Sequence, residues 1–148
     1  MNRTERTLGL IKPDAMAQGL LGKILDHILS AGFRLVGLKL LKLTREQAEA
    51  FYNVHRERPF FPSLVEFMTS GPIVAFVLEK ENAIADYRTL MGATDPAKAA
   101  PGTLRALFGQ NVERNAVHGS DSPENAQREI AFFFAQAELL PAPTAITV

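Results

Sequence analysis

The sequence predicts an α+β sandwich in which a four-stranded antiparallel sheet is covered by helices. Three observations carry this. Apolar runs of strand length occur at residues 7–11, 33–43 and 73–78, with a fourth short one at 116–118. A clear amphipathic pattern fills residues 20–31. Helical and strand-like segments are mixed along the chain, as in domains that pack helices on one layer of sheet.

Taken in order, Thr7 to Ile11 reads as a strand stopped by Pro13. In the segment Leu20–Ala31 the apolar residues Leu21, Ile24, Leu25, Ile28 and Leu29 recur at helical spacing, opposite Lys23, Asp26 and Ser30. Gly32 stands where a C-terminal cap belongs. Phe33 to Leu43 reads as a strand whose alternation breaks near Gly37, which predicts a bulge. Thr44-Arg45-Glu46-Gln47 has the form of a capping box and opens a helix reaching about Val54. A further short helix is expected over Pro59 to Met68; Gly71-Pro72 then punctuates, and Ile73 to Leu78 forms a continuous apolar strand. Asn82 to Met91 returns to a helical pattern.

Periodicity fades between Gly92 and Asn115, where Pro96, Pro101, Gly102 and Gly109 interrupt the chain. A loop of that length in a small domain is functional or disordered, and Thr94, Arg105 and Phe108 are not the composition of a disordered linker. Ala116 to His118 forms a last short strand, and Ser122 and Pro123 supply the N-cap and first residue of a last helix. The order suits a ferredoxin-like βαββαβ arrangement with helices on one face of the sheet. The 148 residues make one domain, 1–148, in which Pro141 to Val148 is an extended arm.

Composition narrows the function classes. The chain has no cysteine, hence neither disulfides nor thiolate metal sites, and a cytoplasmic location is expected. Lysine plus arginine balances aspartate plus glutamate, 16 against 16, which argues against a dedicated nucleic-acid or membrane-surface binder. Met1 to Arg6 is not followed by an apolar run long enough for a signal peptide, and no stretch approaches a membrane span.

Familiar phosphate-binding motifs are missing. Gly22-Lys23 resembles the end of a P-loop, but Ala17 and Ile24 stand where the first glycine and the magnesium-binding hydroxyl belong. Three histidines remain. His27 flanks an apolar stripe and suits a place at the core edge, whereas His55 is equally a surface residue or a functional one. His118 differs, because Gly119 permits close backbone approach and a helix start follows, with free N–H groups favourable near phosphate. On that helix Ala126, Ile130 and Phe133 form the buried stripe and Glu129 lies at its edge. A carboxylate there needs a partner. It either orients His118 as a nucleophilic or acid–base imidazole or pairs with a surface cation; spacing leaves both open. Arg88, Arg105 and Arg114 lie on or near the long loop and suit phosphate oxygens, though scattered arginines are also ordinary surface groups.

From Glu5 to about Leu139 the sequence resembles the nucleoside diphosphate kinases. The most specific segment is Asn115-Ala116-Val117-His118-Gly119-Ser120-Asp121-Ser122, similar to the family's active-site signature. Ile11-Lys12-Pro13-Asp14, Arg58-Pro59-Phe60-Phe61, Ser70-Gly71-Pro72, Gly92-Ala93-Thr94-Asp95-Pro96 and Pro101-Gly102-Thr103-Leu104-Arg105 support it in order and spacing. A departure is Leu107, where many members are acidic.

The resemblance implies a γ-phosphoryl transfer from a nucleoside triphosphate to a nucleoside diphosphate, ping-pong, through phosphorylated His118. It implies that Glu129 and Ser120 hold the ring, with Tyr52 beside it. Lys12 and Asn115 would meet the ribose hydroxyls, Phe60 and Val112 the base, and Arg88, Thr94 and Arg105 the phosphates. His55 matches a position that approaches phosphate in some members. Mg2+ is the implied cofactor, held by the nucleotide's phosphates rather than by a protein site, with Asp121 reaching it through water. A homo-oligomer, tetramer or hexamer, is implied. The rival classes are a catalytically silent nucleotide-binding module, opposed by the intact His118, Glu129, Lys12 and Arg105, and a nucleic-acid binder, opposed by zero net charge.

Overall fold

The computed structural model describes residues 4–141, so the expected arm lies outside the described residues except for Pro141. Strand β1 (Thr4–Ile11) leads through helix α1 (Pro13–Ala17) into α2 (Leu21–Ser30). Strand β2 (Arg34–Leu41), α3 (Arg45–Phe51), α4 (Phe61–Met68), strand β3 (Ile73–Glu81) and α5 (Ala83–Met91) follow. A short α6 (Leu104–Phe108), strand β4 (Val117–Gly119) and α7 (Pro123–Phe133) complete the order. The sheet order is β2-β3-β1-β4 with every neighbouring pair antiparallel, which is the ferredoxin-like arrangement expected from the sequence. Among the described residues no helix is long and apolar enough to cross a membrane.

Helices cover both faces of the sheet, not one as the sequence suggested. On one face Leu8, Leu10, Val36, Ala75 and Val77 pack against Phe51, Phe61, Val65 and Phe133 from α3, α4 and α7. On the other, Val74, Phe76 and Leu78 pack against Ile24, Ile28, Tyr87 and Met91 from α2 and α5. The reason is visible in Ile73–Leu78, an unbroken apolar run rather than an alternating one, as a strand buried on both sides requires.

Local signals decide most element ends. Thr44 and Gln47 form the reciprocal capping box, with Gln47 N–H donating to Thr44 Oγ1 at 3.1 Å and Thr44 N–H to Gln47 Oε1 at 2.9 Å. The β2 register shifts between Leu35 and Gly37, the expected bulge. A Cβ on Gly37 would stand 2.8 Å from Leu139, so the glycine lets the C-terminal segment lie on the strand. That segment is clasped further: Arg6 donates to the Leu140 carbonyl at 2.7 Å and Arg34 to that of Pro141 at 3.1 Å, while both arginines pair with Glu79.

Several expectations need correction. Pro13 does not merely stop β1; it opens α1 as its first residue, where a missing N–H costs nothing. Residues 92–115 are not structureless. They hold a 3-10 turn at Pro96–Lys98 capped by Asp95 and helix α6 capped by Thr103, both too short to show a period. The helix after Thr44 ends at Phe51 and gives way to a 3-10 turn, Asn53–His55. Leu29 faces solvent rather than the core.

Candidate active site

Strand β4 is the sheet's edge, with His118 opposite Leu10. His118 therefore points to the face covered by α3 and α7, and its neighbours Val117 and Gly119 to the face covered by α5. A Cβ on Gly119 would sit 2.7 Å from Tyr87, so only glycine lets α5 approach this closely. Phe51 meets the His118 ring edge-on with centroids 5.6 Å apart, and Tyr52 does so at 6.5 Å.

Glu129, carried on α7, accepts from His118 Nε2 at 2.9 Å and from the Ser120 hydroxyl at 2.8 Å, both at Oε1. Ser120 is fixed in turn, since its N–H donates to the Leu8 carbonyl at 3.1 Å and its Oγ accepts from Leu8 N–H at 3.3 Å. Burial works to raise the Glu129 carboxyl, but the hydrogen bonds and charge of His118, with Ser120 and Arg128, outweigh it and hold the group below its ordinary value. An ionised Glu129 can only accept, so Nε2 carries the proton and the lone pair of a neutral ring is on Nδ1. Of the two partners of Glu129 left open by spacing, His118 is the closer at 2.9 Å, with the cation Arg128 a longer contact at 3.6 Å.

A second cluster joins the end of β1 to the chain before β4. Lys12 Nζ donates to Asn115 Oδ1 at 2.8 Å, and Asn115 Nδ2 donates to the Thr94 carbonyl at 3.1 Å. Both Lys12 and Asn115 are buried. Burial, with Arg105 adding to it, lowers the Lys12 ammonium from 10.5 to about 8 against the opposing pull of Asp14 and Glu113. Between Asn115 and Val117, Ala116 has a positive φ of 74° and centres a tight turn in which Val117 N–H donates to the Asn115 carbonyl at 2.9 Å, a backbone conformation that costs a non-glycine residue roughly 1–3 kcal/mol. Its N–H donates to Asp14 Oδ2 at 3.1 Å, and its carbonyl accepts from Lys12 N–H at 2.8 Å.

The arginines divide. Arg105 is buried, donating to the carbonyls of Gly92 at 3.1 Å and Val117 at 2.9 Å, and its Nε has no partner among the described residues. Burial lowers its affinity for the proton, Tyr87 opposes this, and Arg88 adds to it. Arg88 is exposed and reaches towards the Gly119 carbonyl at 3.5 Å. Arg114 lies instead over the Phe67 ring. Thr94 is exposed, its backbone held by Asn115.

Phe60 and Val112 are exposed by 48% and 57%, unusual for such side chains. A hydrogen bond from Ser63 to Glu113 at 2.7 Å ties the start of α4, which Phe60 caps, to the loop bearing Val112. His55 lies between Tyr52 and Phe60, with ring centroids at 6.5 and 5.3 Å. Tyr52 is buried, its hydroxyl has no partner among the described residues, and burial with the nearby Glu129 charge raises the phenol well above its ordinary value, so it stays a donor. Asp121 accepts from Asn125 at 2.6 Å, and that bond leads the influences holding its carboxyl below the usual range. His27 bonds the Gly102 carbonyl at 2.9 Å at the core edge, as its sequence position suggested.

Two residues in this region escaped the sequence reading, Asp14 and Phe51. Asp14 stands in the sequence as the last residue of the supporting segment Ile11-Lys12-Pro13-Asp14, with no role attached; the available signal is a carboxylate set among apolar residues right after a strand.

Comparison with known proteins gives one answer. A family model for nucleoside diphosphate kinase matches residues 5–139. The chain is similar to the nucleoside diphosphate kinase of Nitratiruptor sp., 60% identical over 136 residues that span 92% of this chain and 99% of that protein. It is as similar to that of Persephonella marina, 60% identical with 92% and 97% covered. The solved structure of the Aquifex aeolicus nucleoside diphosphate kinase superposes with a TM-score of 0.91 at 53% identity, covering 93% of this chain and all of that one. A halophilic nucleoside diphosphate kinase from Halobacterium salinarum, in complex with CDP, gives 0.91 at 41% identity, with 96% and 95% covered.

Proposed function

The chain belongs to the nucleoside diphosphate kinase family, and from this we propose that residues 1–148 form one phosphotransferase domain that works through His118. The enzyme moves the γ-phosphoryl group of a nucleoside triphosphate to a nucleoside diphosphate by a ping-pong route. The observation that carries the assignment of His118 is its Nε2–H bond to the buried carboxylate of Glu129, which leaves Nδ1 with a lone pair.

In the first half-reaction Nδ1 forms a bond to the γ-phosphorus while the bond to the β–γ bridging oxygen breaks, and the nucleoside diphosphate departs. The ring then bears positive charge, which Glu129 compensates across Nε2–H. In the second half-reaction a terminal oxygen of another nucleoside diphosphate attacks that phosphorus and the N–P bond breaks. Both bonds exchanged are alike overall, so the reaction runs either way. Catalysis is alignment and charge stabilisation of the transferring group. Arg105, whose buried Nε has no partner among the described residues, and Arg88 and Thr94 hold the phosphates, and the Tyr52 hydroxyl, likewise without a partner among them, donates beside the ring. Lys12 and Asn115 meet the ribose hydroxyls, and Phe60 and Val112 take the base between them. The complete set argues against a catalytically silent module.

A nucleotide kinase implies a divalent cation, which we assign as Mg2+. The residues fit that group: Asp121 offers an exposed carboxylate kept below its ordinary pKa, suited to reach a phosphate-held cation through water. When bound, the ion neutralises charge on the phosphate oxygens. The nucleoside diphosphates and triphosphates are the partners, together with further copies of this chain in a tetramer or hexamer. Leu38 and Leu40, exposed by 51% and 67% on the edge strand β2, support self-association. A chain without cysteine suits the cytoplasm.

The test is to incubate the protein with γ-labelled ATP alone, then add unlabelled GDP. Label should enter the protein in the first step and leave as GTP in the second. Transfer that occurs only when donor and acceptor are present together would refute the ping-pong route.

A further inference from the structure

We propose that Asp14 is a positioning residue for sugar recognition: by holding the Ala116 amide it keeps Asn115 and Lys12 set to read the nucleotide's 3′-hydroxyl. This deepens the reading of the site given above and rests on it. Lys12 and Asp14 flank Pro13, and each reaches across to the segment before β4. Lys12 bonds Asn115 through its ammonium and the Ala116 carbonyl through its backbone N–H. Asp14 bonds the Ala116 N–H through Oδ2. Both polar groups of Ala116 are thus held from the start of α1, and the residue between Asn115 and Val117 is fully buried.

The arrangement is expensive for a purely structural device. Asp14 is buried, its Oδ1 has no partner among the described residues, and the hydrogen bond of its Oδ2 serves a single amide. What that bond helps to sustain, together with the Val117 N–H bond to the Asn115 carbonyl, is a positive-φ alanine, a conformation that persists only where the surroundings over-determine it. Released, Ala116 would turn to negative φ and rotate the peptide that carries Asn115, drawing its Oδ1 away from Lys12. His118 would be affected less, because Glu129, Ser120 and the Leu10 pairing hold it separately.

The consequence is specific. Loss of Asp14 should weaken discrimination for the sugar more than reactivity of the histidine. The test compares single-turnover phosphorylation of the protein by ATP and by 2′,3′-dideoxy ATP, with phosphoramidate as a donor that has no sugar. In Asp14→Ala the preference for ATP over the dideoxy compound should shrink about tenfold, while labelling by phosphoramidate falls less than labelling by ATP. Adding Ala116→Gly should restore much of the preference, since glycine adopts positive φ freely. Asp14→Asn keeps an acceptor of the same shape and should retain more of the preference than Asp14→Ala, and it serves in full if the alanine variant does not fold.

Three results would overturn the proposal: an unchanged preference in Asp14→Ala, no recovery on adding Ala116→Gly, or an asparagine variant as impaired as the alanine one. A wild-type protein that does not distinguish the two nucleotides would instead refute the assignment of Lys12 and Asn115 to the ribose, and that is seen before any variant is made.

Discussion

Glu129 Oε1 lies 2.9 Å from His118 Nε2 and takes a second hydrogen bond from Ser120 at the same oxygen. One carboxylate oxygen therefore sets the tautomer of the histidine, and Ser120 sets the carboxylate. Removing it by Glu129→Ala leaves the ring free to turn and its positive charge unbalanced after transfer. A hydrogen bond to a charged group contributes roughly 1.5–3 kcal/mol, so kcat should fall by about tenfold to a hundredfold. KM should change less, because Glu129 faces the ring and not the nucleotide. Steady-state kinetics of Glu129→Ala decide this, and an unaltered kcat would remove Glu129 from the mechanism.

Lys12 should make nucleotide binding depend on pH. The ammonium has been drawn down to about 8, so the free protein begins to lose this charge as pH rises through that value. The negative charge of a bound nucleotide favours the charged form of this ribose-facing ammonium, so binding just above that pH should take up a proton, and affinity should fall as pH increases. Calorimetry at about pH 8.5 in buffers of different ionisation heat should report the uptake. Lys12→Gln should abolish it; the same heat in both buffers for the unaltered protein would contradict the assignment.

Much of this was legible in the sequence. The helical stripe of Ile24 and Ile28, the capping box at Thr44, the bulge at Gly37 and the Ser122–Pro123 helix start are local patterns, and local patterns fix local structure. Resemblance supplied the candidate site residues, of which the fold brings His118, Glu129 and Ser120 into contact, with Lys12 meeting Asn115. Three features were not legible. Helices α1 and α6 have five residues each, too few to display a period. The unbroken apolar run Ile73–Leu78 calls for two covered faces, but which helix crosses to which side is a tertiary matter. The Asp14–Ala116 bond joins residues 102 positions apart and rests on a positive φ at an alanine, for which composition gives no sign.

The base should be read loosely. Phe60 and Val112 present a ring face and an apolar side chain, and neither can distinguish donor from acceptor. ATP, GTP, CTP and UTP should all phosphorylate the protein in single-turnover assays, purines somewhat faster through their larger area. A preference of several orders of magnitude for one base would contradict this.

Self-association should be strong enough to see in solution. Light scattering at micromolar concentration is expected to give a mass several times that of one 16.2 kDa chain. Placing a charge on the exposed edge with Leu40→Glu should reduce that mass. A single-chain mass for the unaltered protein would refute the assembly.

The central claim is that phosphate rests on Nδ1 of His118. The direct measurement is phosphorus NMR of the protein phosphorylated by ATP, with the modified peptide mapped by mass spectrometry under alkaline conditions. The account predicts one acid-labile, base-stable phosphoramidate, on His118 and bonded through Nδ1. Phosphate on Nε2, or an acid-stable ester on Ser120 or Ser122, would contradict it.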